Sequence, residues 1–358
     1  MGLLRTLHAW AGAILALILV VLGLSGSLLV LRDPWVKLTV PEARGGVAAS
    51  PRALGAAVQA IQAQAPGEVR NVTLAGPHLG VHRVYFTDKD QGYAAADGRL
   101  LVRFAPTERA EGWLFELHHR LLAGETGDKV VGAAGIAGAL LVLTGAIVWL
   151  PAWRSFGARV WPKTLTKRAD LVGSHRNLGV ITALPVFVLC LTGGAIIFHE
   201  TTQGLMAAAA PGPAAPKPPA AGEGEVNWLR ALSAAQAAFP DATLRMASTP
   251  GKPGAPATIR MKQPGEWHPN GRTVVWIDPS DERVLGTVDA MALGAGMRAY
   301  NSFYPLHAGK VGGIAYEAVV FLGGLALAAL GGFGLWSFLI KQTRRRPVPA
   351  KAAPQAAE

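Results

Sequence analysis

Four apolar runs, near residues 8–31, 130–151, 177–199 and 314–340, divide the chain. Each is long enough to cross a bilayer, which takes roughly 20 apolar residues. Between them lie two polar segments of about a hundred residues each, patterned on a shorter scale. In the first, "SPRALGAAVQAIQAQAP" offers Ser50 as an N-cap and Pro51 at the first helical position, followed by helical periodicity. "VHRVYFTD" and "GRLLVRF" then read as strands joined across a turn holding Asp97-Gly98. In the second segment "NWLRALSAAQAAFPDA" reads as a helix, and "ATIRMKQ" with "RTVVWIDPSDERVLG" as strand–turn–strand. The pattern predicts a membrane α-helical bundle of four transmembrane helices carrying two small α+β domains.

A shift of 167 residues lays the first run on the third. His8 falls on His175, Gly12 on Gly179, Ser25 on Thr192, Gly26 on Gly193 and Asp33 on Glu200. The first run alone resembles a secretory signal, but it exceeds the roughly 7–15 apolar residues of one, and a cleavable segment has no reason to recur mid-chain. It is expected to be a retained helix. "WLFELHHRLLAGETG" before the second run and "YNSFYPLHAGKVGG" before the fourth extend the correspondence into an internal twofold repeat. The expected segments are 1–33 (helix one), 34–110 (first outer domain), 111–151 (interfacial helix and helix two) and 152–174 (basic loop). They continue as 175–200 (helix three), 201–225 (Pro/Ala-rich linker), 226–300 (second outer domain), 301–340 (helix four) and 341–358 (basic tail).

Charge gives orientation. The formal net charge is +11, yet Lys and Arg exceed Asp and Glu by five to one only in 152–175 and in 341–358. Residues 32–129, at twelve against eleven, and 200–312, at ten against nine, are near balance. Short basic loops stay in the cytoplasm, so both termini are expected there and both large domains outside. A basic charge placed this way leaves nothing for a nucleic acid. The one cysteine, Cys190, excludes a disulfide framework and covalent haem attachment through C-x-x-C-H, and reads as a small buried apolar residue.

The layout and the motifs "LHAWAG", "LHHRLLAGETG", "HRNLG…LTG" and "PLHAG" resemble the PepSY-associated transmembrane family, which includes inner-membrane ferrisiderophore reductases, over residues 3–340. The resemblance implies PepSY-like periplasmic domains, a bacterial inner membrane, and electrons passed outward to a ferric siderophore or other iron chelate. No G-x-G-x-x-G turn follows a strand, so the implied donor is a membrane quinol or a separate cytoplasmic reductase. The oligomeric state, with a homodimer among the options, is open.

Six of the nine histidines sit at helix ends. His8 and His175 occupy equivalent inner positions, while His118, His119, His199 and His307 lie on the outer side. A neutral imidazole can ligate haem iron, and two on facing helices can hold a b-type haem without a covalent link. A single interfacial histidine is usually a capping or snorkelling residue; a pair recurring in register is not accounted for that way. His8 with His175 and His118 with His307 are therefore the expected ligands of one or two haem b groups, with His199 and His119 as alternates at the outer site. Glu317, near the outer end of the fourth run, is either an interfacial partner of Lys310 or Arg298 or a proton or quinol group. His175 and His199 are 24 residues apart, about 36 Å along a helix, too far for one direct electron hop. The competing reading is a non-catalytic membrane protein whose outer domains bind a protease, peptide or siderophore.

Overall fold

The computed structural model describes residues 1–47 and 49–343; most of the basic tail expected at 341–358 lies outside the described residues. The first apolar run forms α1 (Gly2–Val30), from which a short α2 (Arg32–Thr39) turns away. α3 (Pro51–Gln64) starts as its sequence predicts, with the Ser50 hydroxyl accepting from the Ala53 N–H and Pro51 at the first helical position. Strands β1 (Val69–Thr73), β2 (His82–Phe86), β3 (Gln91–Ala94) and β4 (Leu100–Phe104) follow. Then come α4 (Ala110–Arg120), α5 (Gly124–Trp149), α6 (Arg168–Ile197) and α7 (His199–Ala209). The second outer segment supplies α8 (Trp228–Ala238), β5 (Thr243–Ser248), β6 (Ala257–Lys262), β7 (Thr273–Ile277) and β8 (Val284–Val288). Two short helices, α9 (Ala295–Asn301) and α10 (Phe303–His307), lead into α11 (Gly313–Thr343).

Three strands differ from the sequence pattern. β3 intervenes between the two strands expected in the first segment, so the Asp97-Gly98 turn joins β3 to β4. With four residues and Gly92 inside, β3 is too short for alternation to register. β1 and β5 also escape the pattern, and these two pair with each other in antiparallel register, Val72 opposite Ala247. That pairing fuses the outer segments into one eight-stranded antiparallel sheet in the order β4-β3-β2-β1-β5-β6-β7-β8. α3 and α8 lie together on one face of it. Leu54, Val58 and Ile61 of α3 and Trp228 and Leu232 of α8 close over Val72, Val84, Phe86, Ile259, Val275 and Ile277 in a single core. Burying each large side chain contributes about 1.5–3 kcal/mol, and the contributions are shared across the β1–β5 seam. α3 and α8 touch backbone to side at Gly55, where a Cβ would come 2.5 Å from the Trp228 carbonyl.

α1, α5, α6 and α11 are each long and apolar enough to span a membrane. α1 packs mainly on α11, α5 on α6, and α6 on α11. Small residues set the close approaches: a Cβ at Gly23 would lie 2.5 Å from the Gly324 carbonyl, and one at Gly135 2.9 Å from that of Cys190. Cys190 is buried against Gly138, as its composition suggests. On the other side of the bundle Ile14 and Leu184 are 72% and 73% exposed, a surface suited to lipid tails. α6 begins at Arg168, before its apolar run; Asp170 in its first turn accepts from the Thr164 N–H and hydroxyl, which anchors a polar opening turn.

Candidate functional site

Two histidine pairs meet inside the bundle. His8 of α1 and His175 of α6 have ring centroids 6.3 Å apart, at the end of the bundle far from the sheet. His118 of α4 and His307 of α10 have centroids 6.0 Å apart, at the sheet side. All four side chains are half-buried.

Each ring rests on a glycine of a neighbouring helix. A Cβ at Gly145 would come 3.2 Å from His8 Cε1, and one at Gly334 3.4 Å from His175 Cε1. At the sheet side the fit is tighter, 2.8 Å between Gly26 and His118 and 2.7 Å between Gly193 and His307. Gly26 and Gly193, which coincide in the 167-residue register, and Gly145 each make room for an imidazole.

The hydrogen bonds fix which nitrogen carries the proton. His175 Nδ1 donates to the Leu330 carbonyl at 3.0 Å, and His307 Nδ1 to the Leu189 carbonyl at 3.0 Å. His8 Nδ1 lies 3.0 Å from the Thr144 hydroxyl, whose own proton goes to the Leu141 carbonyl, so the oxygen accepts from the ring. His118 Nδ1 lies 3.1 Å from the Ser25 hydroxyl, which donates to the Val21 carbonyl and accepts in the same way. Thr192 repeats the arrangement beside His307, with its hydroxyl 3.3 Å from Nδ1 and its proton on the Val188 carbonyl. Every Nδ1 is thus a donor, and every Nε2 keeps a lone pair. Ser25, Thr144 and Thr192 were not singled out by sequence as site residues, although Ser25 and Thr192 coincide in the 167-residue register. Among the described residues no third His, Cys, Asp or Glu joins either pair as a metal-holding group.

The other expected residues lie outside the pairs. His119 stacks on Phe115 and its Nδ1 meets Asp128 at 2.9 Å, an acid that Arg120 also engages. His199 is exposed, and its hydrogen bond among the described residues is to the Ile197 carbonyl, at 3.4 Å. Glu317 pairs with Lys310 at 3.3 Å, and Lys310 also reaches Asp33 at 3.8 Å. Burial works against the Asp33 charge, but Arg83, Lys310 and Arg32 outweigh it and hold that carboxyl below its usual range. His82 and His268 are buried in the sheet region; His82 accepts from the Ala75 N–H and faces the Ala96 carbonyl, a structural role.

α4 is turned into the bundle by a tight corner. Leu121 and Leu122, directly after it, both have positive φ, 50° and 58°, a conformation that costs a non-glycine residue roughly 1–2 kcal/mol. The strain is held where α4 must reverse into α5 and still lay His118 against Gly26.

The pairs are closer than the span from His175 to His199 suggests. Ser27, beside Gly26, donates to the Phe321 carbonyl, while His175 lies at Leu330 and Gly334 of the same helix. Nine to thirteen residues of α11 separate the two levels, roughly 14–20 Å at the helical rise. No curated protein matches the chain. The sequence profile of the PepSY-associated TM region matches residues 5–341, nearly the whole length; with its four apolar helices, the chain is a multi-pass membrane protein belonging to that family.

Proposed function

We propose that the chain is a haem-containing reductase of the bacterial inner membrane that passes electrons outward to a ferric chelate, a siderophore complex, and so releases its iron as Fe(II). In this reading His8 and His175 hold one haem b and His118 and His307 a second. Both termini are cytoplasmic, the fused sheet is two PepSY-like units in the periplasm, and the chain is a twofold repeat.

The observation that carries the reading is the meeting of four histidines in two pairs, each with Nδ1 tied to a hydroxyl or carbonyl so that Nε2 keeps its lone pair. Ligating histidines characteristically donate their other nitrogen in this way, which fixes the ring and strengthens the donor. The spacing agrees. Ring centroids 6.3 and 6.0 Å apart leave room for one metal ion shared by the two imidazoles of each pair. A bare zinc site would call for four protein ligands, whereas haem brings four nitrogens of its own and needs two. Bound there, haem supplies reversible one-electron chemistry. The protein's part is to hold the imidazoles neutral and oriented and to keep apolar helices around them. Each ferric ion takes up one electron, drawn from a membrane quinol or a cytoplasmic reductase. The twofold repeat is supported by matching anchors, Ser25 and Gly26 under His118 and Thr192 and Gly193 under His307.

The test is the absorption spectrum of the detergent-purified chain, made with ample haem, with and without dithionite. A Soret band with a reduced α-band is expected, and His8→Ala and His118→Ala should each remove one component. Protein without a Soret band would sink the reading; a spectrum unchanged in both variants would sink the ligand assignment.

A further inference from the structure

The face of the sheet opposite α3 and α8 is cationic. Alternation along the strands sends Arg83 of β2, Arg260 and Lys262 of β6, and Arg272, the residue just before β7, to this side. Pairing registers align Arg83, Thr73, Met246, Arg260 and Val274 in one row across five strands. Arg83 and Arg260 are three strands apart in that row, roughly 14 Å. Arg245, the residue at the β5 irregularity beside Met246, adds a charge between them. Arg32 of α2 approaches from the bundle, close enough to act on both Asp33 and Tyr93.

These charges are short of partners. The Nε atoms of Arg32, Arg83, Arg245 and Arg272 are buried without a hydrogen bond. Among the described residues Arg245, Arg260 and Arg272 form no ion pair. Glu266, the acid nearest Arg260 and Arg272, is taken up by the Gln263 and Arg272 backbone N–H groups and the Thr273 hydroxyl. Among the described residues Asp33 is the one acid paired with Arg83, and it shares itself with Lys310. Burial pulls the guanidinium groups of Arg245, Arg260 and Arg272 below their usual range, with Arg83 adding to the effect at Arg245 and Arg272 at Arg260. His268, its ring tilted against that of Tyr304, is pushed down to about 3 by burial and by Arg272, Arg260 and Lys262. An arginine keeps its charge in any protein, and a half-buried one without an acidic partner is a standing cost to the fold. A row of them on one face is a site prepared for negative charge.

The geometry points to this shelf as the seat of an anionic, oxygen-rich chelate, carboxylate- or catecholate-based, in preference to a neutral one. The assignment deepens the reductase reading and rests on it for the chelate's identity as substrate. The shelf is joined to the sheet-side histidine pair by short links: Arg83 to Asp33, seven residues beyond Gly26, and Asp33 to Lys310, three beyond His307. Guanidinium forks match the paired oxygens of carboxylates and catecholates.

Gallium(III) complexes separate binding from reduction, because gallium is not reduced under these conditions. The full chain in detergent is titrated calorimetrically with a trianionic gallium tris-catecholate and with a neutral gallium trihydroxamate. The anionic complex is expected to bind the more tightly, and Arg245→Gln and Arg260→Gln each to weaken it by about ten- to a hundredfold while leaving the neutral complex unaffected. Equal affinity for the two complexes, or an anionic affinity unchanged in both variants, overturns the proposal. If either variant does not fold, the wild-type salt titration decides: a fall of about tenfold or more in affinity for the trianion at high salt supports the shelf, and a flat response refutes it. Tight binding of the gallium complex without reduction of its ferric counterpart removes the reductase reading and leaves the anion site standing.

Discussion

Replacing each of the four glycines under the histidine rings by alanine gives a graded test of the ligand assignment. Carbon atoms sit comfortably at about 3.5–4 Å. A Cβ at Gly193 or Gly26 would meet its ring carbon at 2.7 or 2.8 Å, one at Gly145 at 3.2 Å and one at Gly334 at 3.4 Å. Gly193→Ala and Gly26→Ala must therefore move His307 and His118 by about 1 Å. Gly145→Ala asks about 0.5 Å of His8, and Gly334→Ala asks almost nothing of His175. Metal sites tolerate about 0.2 Å in ligand distance, so the first two should lose coordination at the sheet-side site. Stability is a poor reporter here. Overpacking costs about 1–3 kcal/mol, while alanine gains about 1 kcal/mol over glycine in a helix. The assay is haem content per chain by pyridine haemochrome, with the low-spin electron paramagnetic resonance signal of each purified variant. The expected order of loss is Gly193→Ala and Gly26→Ala first, Gly145→Ala intermediate and Gly334→Ala unaffected. Full haem content with wild-type spectra in the first two, or identical behaviour of all four, would refute the reasoning.

Thr144→Val keeps the shape beside His8 but strands its Nδ1 proton; haem retention at the far-side site should weaken by roughly 10–100-fold, measured by transfer to apo-myoglobin, and unchanged retention would show the anchor to be idle. His268 is held at about 3, below its ordinary 6.5, so its neutral form stabilises the fold at neutral pH. That contribution drains away as pH falls from about 6.5 toward 3, by at most about 1.4 kcal/mol per unit. Wild-type melting temperature should accordingly drop more between about pH 7 and pH 5 than that of His268→Gln, and equal drops would contradict the buried-neutral assignment. Asp33→Asn removes the partner of both Arg83 and Lys310 and should lower stability by about 1–3 kcal/mol; a thermal melt matching wild type would mean that the two cations find another partner.

The four apolar helices and both histidine pairs were legible in the sequence because each is written in a periodic or repeated code. A run of apolar residues states its own length, and His8 and His175 announce one another through a common register. The anchors were only half legible. Ser25 and Thr192 stand in that register, but a hydroxyl mid-helix normally back-bonds to its own turn, and only the approach of His118 and His307 gives the oxygens a second task. Thr144 has no such echo, since His175 uses the Leu330 carbonyl instead. The arginine shelf was hidden altogether. Its members come from α2, β2, β5, β6 and the residue before β7, and charged residues alternating along a strand look like an ordinary solvated face until a pairing register places them side by side.

The β1–β5 seam also changes what the outer region can do to the bundle. Two separate domains, each on its own helix pair, could shift independently and carry α4 and α10 with them. A single sheet with a common core under α3 and α8 allows no such freedom. α4 follows closely on β4, and α9 and α10 follow on β8, so His118 and His307 descend from opposite ends of the same rigid sheet. Their separation is then set by eight strands' worth of hydrogen bonds as well as by helix contacts. In the proposed reading, ligands that must stay within tenths of an ångström need such a frame, and the far-side pair obtains its own from α1 and α6, whose histidines lie within the spans themselves. The strained corner at Leu121–Leu122 fits the same logic: a conformation that costs free energy persists only where the surrounding structure over-determines it, and here the sheet on one side and α5 on the other leave α4 one way to lie.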